Sequence, residues 1–213
     1  MRPRLVLLPA LGTDARLYEP QRALAVELIT PDYPQPVEGE SLRDFARRVP
    51  LPEPPFALGG VSMGGMVAQA MCAFAKPTAL FLIATARRGE DVAPEMRLLE
   101  RITRSAPDIV IKNVPARWAA ELDVFGRLTA AQRTLLLEMW VGRTTSFLKR
   151  CGRMITDWPG EGDLPVPAHQ IHGDQDQLIP IATQRPDVVV RGGGHMINLT
   201  HADEVNRFIT ERF

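Results

Sequence analysis

The run Ala79 to Ala84 is the feature that most narrows what this chain can become. It is almost wholly apolar, too short for a core helix, and bounded by Pro77 before it and Arg87 after it. Such a run reads as a strand buried on both faces, which requires a parallel sheet covered by helices on either side. The flanking sequence repeats the theme. Strands are predicted at Arg4 to Leu8, Glu27 to Thr30, Phe56 to Gly59, Pro167 to Ile171 and Asp187 to Val190. Helices are predicted at Ala15 to Val26, at Ser41 to Val49 with Ser41 as N-cap, and at Met66 to Ala75. A last helix follows Thr200, with Asp203 at capping-box distance. The alternation predicts an α/β fold with a mainly parallel sheet of about six strands.

Between residues 87 and 160 the strand pattern lapses. Glu95 to Ser105, Thr129 to Val141 and Ser146 to Trp158 read as helices, and all three tryptophans fall here. The expected organisation is a core built from residues 1–86 and 161–213, with 87–160 as a helical cap inserted over the sheet. With 213 residues and 45% hydrophobic content, one domain has enough apolar material for a sizeable core. Lys+Arg and Asp+Glu both number 25, so no net field attracts nucleic acid or an anionic membrane surface. Leu5 to Leu8 is too short for a secretory apolar region, and no stretch approaches bilayer-spanning length. The expected location is the cytoplasm. Cys72 and Cys151 do not make a disulfide framework and read as buried free thiols.

Four segments carry chemistry. Gly60-Val61-Ser62-Met63-Gly64-Gly65 lies between a predicted strand and a predicted helix. A serine on so sharp a turn has a strained backbone and needs small neighbours. Its hydroxyl projects above the sheet, beside the free amides of the helix N-terminus. Ser62 is the candidate nucleophile, and the Met63 amide a candidate oxyanion donor. Gly192-Gly193-Gly194-His195-Met196 follows the last strand, where a base could reach the serine from a separate loop. His169, His172 and His201 read as structural. His172-Gly173-Asp174-Gln175-Asp176 follows the preceding strand and offers two carboxylates to orient the imidazole, with Asp176 preferred over Asp174. Pro9-Ala10-Leu11-Gly12-Thr13-Asp14 follows the first strand, and its Leu11 amide is the candidate second oxyanion donor.

Together these segments resemble the α/β-hydrolase superfamily over nearly the whole chain, most closely its short bacterial members. The resemblance implies Ser62 as nucleophile, Asp176 as acid, His195 as base, and Leu11 and Met63 as oxyanion amides. This chain departs from the common pattern in three places. Pro9-Ala10 stands where histidine-glycine is usual. The first strand leads directly into the oxyanion loop. The connection from Asp176 to the last strand is short. The expected chemistry is acyl transfer on a small-molecule ester or lactone, without metal or organic cofactor. There is no zinc-type histidine pair and no phosphate-cradling glycine loop. A thioesterase acting on an acyl-CoA or acyl-carrier thioester is the alternative within the class, and a ligand-binding or sensor protein on the same scaffold the alternative outside it. Trp118, Trp140, Phe147 and Arg87 are the candidate substrate-binding residues. Phe125 and Trp158 are further aromatics that could line a pocket under the cap.

Overall fold

The computed structural model describes residues 2–111 and 125–213. Its centre is a six-stranded sheet in the order β2-β1-β3-β4-β5-β6, every neighbouring pair parallel. The strands are β1 (Arg4–Leu8), β2 (Glu27–Ile29), β3 (Ala57–Val61), β4 (Leu80–Ile83), β5 (Ala168–Gly173) and β6 (Val188–Val190). Side chains alternate across each strand. Val6, Leu8, Leu58, Leu80 and Leu82 therefore fill one core, while Leu5, Leu7, Ala57, Phe81 and Ile83 fill the other.

The first core is covered by α1 (Leu42–Arg48), α2 (Met63–Ala75) and the buried face of α5 (Thr145–Asp157). The second is covered by α4 (Ala130–Gly142), α6 (Ile197–Thr200) and α7 (Ala202–Thr210). Helix α3 (Pro94–Thr103), which buries no residue of its own, packs beside α5. All three of α3, α4 and α5 lie in the connection between β4 and β5. Because every strand runs the same way, the loops after β1, β3, β5 and β6 gather at one edge of the sheet, where open α/β sheets place their sites.

Several local outcomes differ from the sequence expectation. Ala15–Ala23 forms 3-10 turns rather than one α-helix. Pro20 lies inside it and cannot donate the backbone bond a continuous helix needs. Strand β3 runs on to Val61, paired with Ile83, so α2 begins at Met63 rather than beyond Gly65. The C-terminal helix is split at His201, and the capping box expected between Thr200 and Asp203 does not form. The Thr200 hydroxyl donates back to Met196 O at 3.2 Å instead. The link from Asp176 to β6 holds only the single 3-10 turn Ile181–Thr183. Cys72 and Cys151 are buried free thiols. Burial pushes the Cys72 thiol up to about 12, and the Cys151 thiol well above its usual value. Among the described residues no helix is long and apolar enough to cross a membrane.

Candidate active site

Ser62 sits where β3 turns into α2, with φ 55° and ψ −123°. That is a region which L side chains rarely adopt. Three glycines make the turn possible by close approach. A Cβ on Gly64 would lie 2.0 Å from Leu8 O, one on Gly60 2.6 Å from the same oxygen, and one on Gly65 2.6 Å from Thr85 Cβ. The Ser62 amide donates to Ile83 O at 3.1 Å, and the Thr85 hydroxyl donates to Ser62 O at 2.6 Å. Sheet and side chain thus hold the strained residue from both sides. Met63 opens α2, where a helix has amides without intrahelical acceptors.

His195 lies between β6 and α6 and is 2% exposed. The glycines before it serve packing more than mobility. A Cβ on Gly194 would lie 2.5 Å from Gly126 Cα, and one on Gly193 2.7 Å from an Ile197 methyl. Gly192 has φ +71° and forms the turn itself. Met196 N then donates to Phe125 O at 3.0 Å, fixing the loop on its far side.

The two aspartates after β5 have separate tasks. Asp174 Oδ1 accepts from the Gly192 amide at 2.7 Å and so anchors the histidine loop. Asp176 Oδ2 lies 2.8 Å from His195 Nδ1, while its Oδ1 accepts from the amides of Leu178 and Ile179, each at 2.9 Å. Burial would raise the Asp176 carboxyl. The opposing attraction of His195 and the hydrogen bonds from His172 and His195 outweigh it and hold the carboxyl well below the usual range. Asp176 is therefore an anion fixed against one imidazole nitrogen. This sets the tautomer that leaves His195 Nε2 to handle a proton.

His172 is wholly buried beneath this pair. Its Nε2 lies 2.8 Å from Ile179 O and 3.2 Å from Asp176 Oδ2. His172, expected from the sequence to be structural, also helps hold the Asp176 carboxylate ionised. Its position four residues before Asp176 was the available signal.

Ser62 and His195 open onto one cavity of about 270 Å³. Leu11, Gly12 and Thr13 line it beside them. The remaining wall is largely apolar, with Met66, Met96, Leu99, Ile111, Phe125, Leu136, Trp140, Leu178 and Met196. A buried apolar wall with a few polar groups at one end is the usual form of a small-molecule site. Glu100, Arg104 and Lys149 also line it. Arg104 is paired with Glu100 at 2.7 Å, and Lys149 Nζ donates to Ala106 O at 2.6 Å.

The candidate substrate residues fare differently. Trp140 lines the cavity, and its Nε1 donates to Ile111 O at 3.2 Å. Phe147 does not line it. It is 1% exposed and faces the core, with its ring 6.4 Å from that of Tyr33, because α5 turns Phe147 inward with Cys151 and Met154. Arg87 is also off the cavity. It sits half-buried beside Asp91, whose carboxylate accepts from the Arg87 amide. Trp158 is buried in the core and donates to Glu161. Trp118 lies outside the described residues. Thr13, Met96 and Leu99 line the cavity without having been singled out in the sequence.

A family model described as the alpha/beta hydrolase family matches residues 5–208. No curated protein matches the chain significantly. Solved structures resemble it at low identity. A thermophilic esterase from Thermogutta terrifontis is 18% identical, with TM-score 0.75, over 98% of this chain and 88% of its own. The enol-lactonase from Burkholderia xenovorans LB400 is 17% identical, with TM-score 0.77, over 99% and 91%. Bromoperoxidase from Bacillus anthracis is 18% identical, with TM-score 0.76, over 99% and 91%. At these identities the likeness is one of fold.

Proposed function

The chain belongs to the alpha/beta hydrolase family, and from that premise we propose that it is a serine hydrolase cleaving small, apolar carboxylic esters or lactones. One observation carries the reading. Ser62, on a strained strand-to-helix turn, and His195, held by an ionised Asp176, open onto the same apolar cavity. In this mechanism Ser62 Oγ attacks the substrate carbonyl carbon as its proton passes to His195 Nε2. The carbonyl oxygen becomes an oxyanion held by the Leu11 and Met63 amides, and Asp176 stabilises the imidazolium. Collapse breaks the ester C–O bond, and the alcohol leaves with the proton from His195. Water, deprotonated by His195, then releases the acid from Ser62. The described helices of the β4–β5 connection, α3, α4 and α5, act as a cap and supply much of the cavity wall. The apolar wall favours an uncharged acyl group, since a charge placed there would lose its hydration without a partner.

The test is labelling by a fluorophosphonate followed by a panel of p-nitrophenyl esters, lactones and acyl-CoA thioesters. The expected result is stoichiometric labelling and ester turnover, both lost in Ser62→Ala, with kcat/KM falling about 10⁴-fold or more. A folded wild-type protein that neither labels nor turns over would point to a binding protein on this scaffold. Thioester turnover far above ester turnover would replace the substrate class while keeping the mechanism.

A further inference from the structure

The loop between β1 and the first 3-10 turn is tied down at several of its backbone carbonyls. Leu8 O accepts from the Tyr18 hydroxyl at 2.6 Å, and Pro9 O from the Tyr33 hydroxyl at 2.9 Å. Ala10 O accepts twice from one residue: from the Thr13 amide at 3.1 Å and from the Thr13 hydroxyl at 3.0 Å. Thr13 O accepts from the Arg143 guanidinium, and the Asp14 amide donates to Met139 Sδ at 3.4 Å. Thr13 is only 4% exposed, so its hydroxyl has little recourse to water.

The Ala10 carbonyl and the Leu11 amide belong to one peptide plane. In a trans peptide the C=O and N–H point in opposite directions. Whatever fixes the Ala10 oxygen therefore fixes the Leu11 hydrogen. Rotating that plane would break both bonds to Thr13 and turn a carbonyl oxygen toward the spot where the substrate oxygen becomes negative. We propose that Thr13 is a positioning residue, whose buried hydroxyl holds the Ala10–Leu11 peptide with its amide aimed at the developing oxyanion. The proposal rests on the serine-hydrolase reading and adds to it a residue through which the oxyanion donor is held.

The variants Thr13→Val, Thr13→Ser and Thr13→Ala are compared with wild type and Ser62→Ala. The measurements are kcat and KM on p-nitrophenyl butyrate, the Ki of an alkylboronic acid that mimics the tetrahedral adduct, and the unfolding midpoint. Valine keeps the shape and deletes the hydroxyl. Its expected effect is a fall in kcat of about tenfold, short of the 10²–10³ seen when a donor is removed outright. KM stays within about twofold, and boronate binding weakens in step with kcat. Serine restores kcat to within about threefold of wild type, while the pH profile of kcat/KM is unmoved because Asp176 and His195 are untouched. If Thr13→Val does not yield folded protein, Thr13→Ala is expected to show the same loss.

The proposal is overturned if a folded hydroxyl-free variant keeps wild-type kcat and boronate affinity, or if serine is as impaired as valine. In either case intact Ser62-dependent turnover in wild type leaves the hydrolase reading standing. Absence of Ser62-dependent labelling and turnover in wild type would bring down both.

Discussion

Replacing Ser62 by glycine is expected to give a more stable protein than replacing it by alanine, although both are inactive. Both changes delete the hydroxyl, so the comparison isolates the backbone. Alanine retains a Cβ at φ 55°, ψ −123°, held there by the Ile83 and Thr85 hydrogen bonds. A side chain forced into such a region costs roughly 1–3 kcal/mol. Glycine removes that strain but loses roughly 0.5–1 kcal/mol through the greater freedom of its unfolded chain. The difference favours glycine by about 1 kcal/mol, a midpoint about 2–4 °C higher for a chain of this size. Reversible urea unfolding, with thermal scans at several rates, measures it. A glycine variant no more stable than the alanine variant would refute the claim that the turn stores strain.

Other outcomes follow from the same geometry. Asp176→Asn should lower kcat by about 10⁴-fold on ester substrates, because the amide no longer selects the His195 tautomer. The folded carboxyl of Asp176 is held below its unfolded value, so its contribution to stability is present above about pH 4 and is lost as pH falls further. Urea midpoints between pH 6 and pH 2 should therefore fall less steeply for the asparagine variant than for wild type. Gly12→Ala should cost about 2 kcal/mol or more and depress activity. Gly12 has φ +76°, and its new Cβ would lie 2.3 Å from Trp140 Cε3. The matched control, Gly39→Ala, shares the positive φ with open space around it, and should perturb stability less and activity not at all.

The sheet and the residues that meet at the cavity were legible because their signals are local. Ser62, His195 and Asp176 each lie within a few residues of the glycines that let the chain turn or approach a neighbour. Continuous apolar runs marked the buried strands. What could not be read depends on faces and on distant partners. Phe147 is aromatic in a helix of the β4–β5 connection, yet only the packing of α5 on Tyr33 decides that it points away from the cavity. Arg87 follows a strand end, but it lies off the cavity with its amide donating to Asp91, a partner that no local pattern announces. Thr13 lies in the oxyanion segment without any local signal of its own. Its significance needs Arg143 and Met139, more than a hundred positions away, to seat the loop around it. The missing capping box shows a related limit: Asp203 has the right spacing, but His201 rather than Thr200 precedes the helix.

Helix α4 presents Trp140 to the cavity and, from the same stretch, Met139 and Arg143 to the loop after β1. Anyone reshaping the chamber for a bulkier ligand thus meets walls that differ in what else they hold. Randomising α4 would disturb the seating of that loop together with the shape of the chamber, so that the two effects could not be separated. Met96 and Leu99, on a helix that buries none of its residues, offer diversity without that entanglement.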